Sequence, residues 1–262
     1  MRILTHTFSL LLLFCLTWKT SAQQLAFNDF AHIGGSDLQA GSTYRFYNVV
    51  TGVDATINVT SLTNATLLQI DDSPIDSNSA DDAAFRPVFS AISASQENEL
   101  HYVDFTIQFF ANGGNTPVAL DQFTMSLYDI DGDGDSFFAD DGNILEFAQV
   151  AGFESMVSSG EKLNITDYGD GSVLIMTKDS TENPGINNAA PWLSVWDFKN
   201  NNAFSLRFGW MGNDYVDSED NIRDVGAYFT GSNTPTVVPI PEPSSSVLVL
   251  LGAITLISRR RR

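Results

Sequence analysis

The stretch HYVDFTIQFF, residues 101–110, alternates with a period of two: Val103, Phe105, Ile107 and Phe109 fall on one side, Asp104, Thr106 and Gln108 on the other. Successive side chains of a strand point to opposite faces, so the pattern predicts a strand with one buried and one solvated face. The stretch AFSLRFGW, residues 203–210, repeats it, with Phe204, Leu206, Phe208 and Trp210 set against Ser205 and Arg207. Further apolar runs at 43–50, 55–62, 65–70, 84–91, 120–128, 172–178, 192–199 and 224–230 are separated by clusters of Gly, Asn, Asp and Ser. Between the two ends of the chain no window of a dozen residues carries a helical stripe. The expected fold is all-β: a single antiparallel β-sandwich, jelly-roll-like, over residues 23–230. Asn112-Gly113-Gly114-Asn115 reads as the turn of a long hairpin between two of the clearest strands.

Composition supports a folded body. Hydrophobic residues make up 43% of the 262 and charged residues 17%, enough apolar material to bury a core. The formal net charge is -19, and Arg2, Lys19 and Arg259–Arg262 place much of the positive charge at the two ends, so the body is more acidic still. Such a field repels nucleic acid and anionic lipid and attracts divalent cations, which excludes a nucleic-acid-binding role.

The acidity is sharpest in SLYDIDGDGDSFFADDGNILEF, residues 126–147. Asp129, Asp131 and Asp133 stand on alternate residues ahead of Gly134, with Asp135 and Asp140 available to close a shell. Calcium takes six to eight oxygens at flexible geometry, and a glycine lets the chain turn sharply around it. The first six positions resemble the calcium loop of EF-hands. The closing position is Asp140 rather than Glu, and the residues before the loop pattern as a strand. The expectation is therefore a strand-flanked structural Ca²⁺ loop, with a solvated acidic turn as the alternative. The acidic stretches 213–220 and 71–82 read as surface loops.

Both ends carry addresses. Residues 1–22 combine Arg2, an apolar core from Phe8 to Leu16 and a small-residue exit at Thr20-Ser21-Ala22, the pattern of a signal peptide cleaved after Ala22 and passed to the Sec export machinery. Cys15, the single cysteine, lies within it, so the exported chain is expected to have no disulfide. At the other end, residues 231–239 read as a Thr-, Val- and Pro-rich linker. In residues 240–262, Pro241-Glu242-Pro243 precede an apolar run of about 14 residues, a short membrane helix of ~21 Å against a ~30 Å hydrocarbon core. Arg259, Arg260, Arg261 and Arg262 follow. Motif, helix and basic cluster, in this order, resemble the PEP-CTERM sorting signal of Gram-negative bacteria. The resemblance implies exosortase as a processing partner, a transient inner-membrane intermediate and a final place in the cell envelope or outside it, often beside exopolysaccharide. It covers about a tenth of the chain and says nothing of what the body does.

For the body, no serine elbow, zinc-binding His-Glu-x-x-His, Walker loop or dinucleotide fingerprint is present. A glycosidase needs only two suitably spaced carboxylates, so a polysaccharide-modifying enzyme stays open as a minor reading. The leading expectation is a non-enzymatic structural or adhesive protein of the envelope, and the runner-up a carbohydrate-binding module. For the latter, Trp192, Trp196, Trp210, Tyr215 and Tyr228 are candidate platforms for sugar rings. Core packing is the alternative for each.

Overall fold

The computed structural model describes residues 24–71, 83–91, 99–128, 130, 132–133, 144–158, 161–178, 193–212, 222–231 and 238–239. In chain order the strands are β1 (Gln24–Leu25), β2 (Phe30–Gly34), β3 (Thr43–Val50), β4 (Val53–Thr63), β5 (Ala65–Gln69) and β6 (Val88–Ala91). There follow β7 (Glu99–Ala111), β8 (Val118–Tyr128), β9 (Gly132–Asp133), β10 (Ile144–Ala151), β11 (Ser155–Ser158) and β12 (Leu163–Asp167). The last are β13 (Ser172–Thr177), β14 (Ser194–Asn201), β15 (Ala203–Gly212), β16 (Ile222–Asp224), β17 (Gly226–Gly231) and β18 (Val238–Pro239). Among the described residues there is no α-helix, and none long and apolar enough to cross a membrane. The signal peptide, the PEP motif, the membrane segment and the arginine tail lie outside the described residues.

All pairings among the described residues are antiparallel. A nine-stranded sheet runs β12-β13-β10-β15-β7-β4-β3-β2, with β9 added to β10. A second runs β1-β17-β8-β14-β11, with β18 continuing beside β8, and a third is β16-β6-β5. The expected antiparallel β fold is present, but the strand count exceeds the eight of a jelly roll.

The alternation in the sequence explains the layering. In β7, His101, Val103, Phe105, Ile107 and Phe109 are buried, while Tyr102, Asp104, Thr106 and Gln108 are only partly covered. Phe204, Leu206, Phe208 and Trp210 of β15 align beside them. Facing them across the core, Phe123 of β8, Phe198 of β14 and Phe229 of β17 all meet Phe204, at ring-centroid distances of 5.9, 4.7 and 6.0 Å. Large aromatics bury the most area per residue, so these rings hold the two sheets together. Phe85 joins the small sheet to both: its backbone pairs with Ala227 of β17, and its ring meets Phe105 edge-on at 5.2 Å.

The 112–115 segment is a turn, as expected, but not that of a long hairpin. After one bridge between Phe110 and Pro117, β7 enters the nine-stranded sheet and β8 the opposite one. Their apolar faces confront each other, with Phe109 and Phe123 in an edge-to-face contact at 5.5 Å. Pairing side by side would leave each strand's apolar face needing another cover, whereas an arch lets the two faces cover each other.

That arch is pinned onto the outer face of the large sheet. Asp54 of β4 is fully buried beneath it and accepts from Arg45 Nε (3.0 Å), the Asn48 backbone N–H (2.9 Å) and the Gly113 backbone N–H (3.0 Å). Asn48 reaches this position because β3 bulges between Phe46 and Val50, placing Asn48 in the left-handed region at φ 51°. Arg45 also donates to the Gly114 carbonyl and to Asn115 Oδ1, so it ties the turn to the sheet. Burial pushes the Asp54 carboxyl up. The backbone donors and Arg45 outweigh burial and hold it below its ordinary value of 3.8.

Three local readings of the sequence change. Asp71, assigned to a solvated loop, is buried and accepts from the Arg86 backbone N–H at 2.9 Å. Val238–Pro239, read as the end of a linker, pair with Ala119 and Val118 of β8. Residues 144–151, not among the runs read as strands, form β10 in the interior of the large sheet.

Candidate functional site

The outer face of the nine-stranded sheet carries a groove of about 260 Å³ across β4, β7, β15 and β10. Asp104 and Arg207 are direct partners on adjacent strands. Arg207 Nε donates to Asp104 Oδ1 at 2.5 Å and Nη2 to Oδ2 at 3.1 Å, a bidentate fork. The network continues on both sides. Ser61 donates to Asp104 Oδ2 at 2.5 Å. Arg207 Nη1 donates to Gln149 Oε1 at 3.2 Å, Gln149 Nε2 donates to Ser172 Oγ at 3.0 Å, and Ser172 Oγ donates to Asp170 Oδ1 at 2.6 Å. One hydrogen-bonded row therefore crosses β4, β7, β15, β10 and β13, about 19 Å at the ~4.8 Å spacing of neighbouring strands.

Two sequence devices position this row. A register shift in β4 between Val59 and Ser61 inserts Thr60 as an extra residue. Bulges re-aim side chains, and here Thr60 meets Thr106 hydroxyl to hydroxyl at 3.2 Å while Ser61 reaches Asp104. The second device is Gly209. A Cβ there would lie 2.4 Å from the His101 carbonyl oxygen and 2.6 Å from both the Phe147 ring and Tyr102 Cβ. Its absence lets Tyr102 and Phe147 approach across β15, and the Arg207 guanidinium lies 3.9 Å from the Tyr102 ring centroid.

Electrostatics fix the row's charges. Asp104 holds the Arg207 pKa above its ordinary value, burial opposes this, and Tyr102 and Tyr168 add to the elevation. Tyr168, whose backbone N–H donates to the Ser172 carbonyl at 3.1 Å, is 54% exposed, so an exposed aromatic residue stands at the Ser172 end of the row. The Ser172 hydroxyl and backbone N–H lower the Asp170 carboxyl. Among the described lining residues Asp104 is the single carboxylate, and the others that offer polar side chains are Thr60, Thr106, Gln149, Ser205 and Arg207.

The aromatic platforms named from sequence fall differently. Trp196 is fully buried, donates to Ser194 Oγ at 2.9 Å and meets Phe153 edge-on at 4.9 Å. Trp210 is fully buried and stacked on His101, centroids 4.1 Å apart and planes 16° off parallel. Both are core residues and closed to a ligand. Tyr228 is half-buried on β17. Trp192 and Tyr215 lie outside the described residues.

Of the expected calcium ligands, Asp129, Asp131, Asp135 and Asp140 lie outside the described residues. Asp133 is described by its backbone alone, paired with Ile144 so that β9 and β10 run side by side. The described residues contain no cluster of His, Cys, Asp and Glu able to hold a metal. The groove was not singled out from sequence, although its central pair stood on the solvated faces of the two strands read first. The missing information was register, because only pairing shows that Asp104 faces Arg207.

No known family model and no curated protein matches the chain. Among solved structures it is similar to the N-terminal domain of a Streptococcus gordonii adhesin, at 15% identity and a TM-score of 0.44, over 80% of this chain and 56% of that one. It is also similar to glucan binding protein C of Streptococcus mutans, at 14% identity and a TM-score of 0.38, over 82% of this chain and 68% of that one. The chain thus spans little more than half the length of the first.

Proposed function

We propose that this chain is an exported cell-envelope protein with an adhesive role, and that the outer-face groove is where it holds carbohydrate. The observation that carries this reading is the hydrogen-bonded row from Ser61 to Ser172 along the groove, in which Asp, Arg and Gln side chains are held in place by one another. Side chains held this way need little further ordering when a hydroxyl-rich ligand arrives, so less binding energy is lost to entropy. The exposed Tyr168 ring supplies an apolar face for a sugar's C–H side. We read the groove as one that binds without turnover, a reading supported by the engagement of Asp104 with both Arg207 and Ser61.

The address belongs to the same proposal. The signal pattern of residues 1–22, the Pro241-Glu242-Pro243 motif and Arg259–Arg262 support export, exosortase processing and display at the envelope, near exopolysaccharide. The Asp129-x-Asp131-x-Asp133-Gly134 spacing supports a structural Ca²⁺ held beside the β9–β10 pair.

A glycan array followed by calorimetry tests the adhesive reading. Arg207→Ala is expected to weaken glycan binding about tenfold or more, with a melting temperature within a few degrees of the parent. Unchanged binding would remove the groove from the account. Melting with excess calcium and with chelator, repeated on Asp131→Asn, tests the ion. A ligand bound only by the folded state raises the melting temperature, and the variant should lose that rise.

A further inference from the structure

We infer that the groove selects uncharged, hydroxyl-rich polysaccharide and discriminates against uronate- and sulfate-bearing polymers, an inference that rests on reading the groove as a glycan site. Arg207 is the single cation among the described lining residues, and its charge is already paired. Nε and Nη2 serve Asp104, Nη1 serves Gln149, and one side of the guanidinium lies over Tyr102. An incoming carboxylate or sulfate would meet a cation whose charge Asp104 already balances, and would approach the Asp104 carboxylate as closely as it approaches Arg207. Asp170, exposed at the end of the row, adds a second negative charge. The whole chain adds a formal -19 that repels a polyanion before contact.

The remaining lining suits a neutral ligand. Thr60, Thr106 and Ser205 present hydroxyls that both donate and accept, and a sugar hydroxyl does the same. Gln149 adds an amide already oriented by Arg207 and Ser172. No ligand charge is needed to satisfy any of these groups.

The experiment uses polymer pairs that share a backbone and differ only in charge: dextran with dextran sulfate, and hydroxyethyl cellulose with carboxymethyl cellulose. Binding of the intact exported protein is measured at ~50 and ~300 mM NaCl, a range over which screening of exposed charges changes strongly. The expected result is binding to a neutral member that changes less than about twofold with salt, with its charged twin at least about tenfold weaker. Equal or tighter binding of the charged twin, lost in salt, would overturn the inference and leave the glycan reading standing. Binding to no member of any pair would remove the glycan reading itself. Asp104→Ala provides an internal control because it frees Arg207. The variant should gain affinity for the sulfated polymer, and no gain would show that Asp104 does not set selectivity. Tyr168→Ala, an exposed change that leaves the fork intact, should weaken neutral and charged polymers alike without changing their ratio.

Discussion

The outer face of the large sheet carries two aspartate–arginine pairs, one under a roof and one in the open. Arg45–Asp54 is covered by the 112–115 turn, with exposures of 12% and 0% for the two side chains. Arg207–Asp104 lies half-exposed in the groove at 31% and 23%. The chemical groups are the same, and the backbone around them decides their use. Under the turn, Asp54 takes two backbone N–H groups besides its arginine, so removing it orphans three donors at once. In the groove, water stands ready to replace either partner, and the pair contributes orientation more than stability.

The sharpest way to break this contrast is Asp54→Ala. Breaking a buried pair typically costs about 3–5 kcal/mol, which corresponds to a drop of roughly 10 °C in melting temperature for a domain of this size. If thermal melts show a loss no larger than that of Asp104→Ala, the roofed pair is not a scaffold. Acid sharpens the same point. The Asp54 carboxyl is depressed in the fold, so its contribution is complete above the unfolded value near 4 and declines as pH falls through the folded one. Urea unfolding followed from pH 7 down to pH 2 should therefore show a decline below about 4 that is shallower in Asp54→Asn.

Gly209→Ala comes next in size. The added methyl must displace the His101 carbonyl, Phe147 and Tyr102, and overpacking of this kind costs about 1–3 kcal/mol. It should also disturb the groove by shifting Tyr102 under Arg207, so stability and glycan binding fall together. Smallest in stability is Asp104→Ala, expected at about 1 kcal/mol or less by denaturant titration. Its main effect should be on which polymer the groove accepts. A large loss of stability there would erase the distinction between the two pairs.

The fold was legible wherever alternation was clean. Residues 101–110 and 203–210 declared both their strands and their buried faces, because side chains on successive residues sample opposite environments. Strand β10 was hidden for the converse reason. Glu146 is buried on the inner face while Phe147 is buried on the outer one, against Gly209, so polarity and face do not coincide. The arch at 112–115 was misread because a turn's residues report local backbone geometry and not which sheet each flanking strand joins. The two tryptophans show the limit for sites: residue type alone does not separate a sugar platform from core, and Trp196 and Trp210 are core. The groove depends on pairing between residues a hundred positions apart, which one chain's pattern does not disclose.

The short strand β1 has a consequence for the order in which the chain folds. Gln24 and Leu25 pair with Thr230 and Phe229, and Phe27 packs against Phe229 at 4.9 Å, so the first strand of the domain closes on one of its last. The six-stranded sheet cannot be completed until almost the whole domain has emerged together. A chain that emerges with its N-terminus leading therefore holds its first strand unpaired until the last ones follow, and the final hydrogen bonds form once both are free to meet.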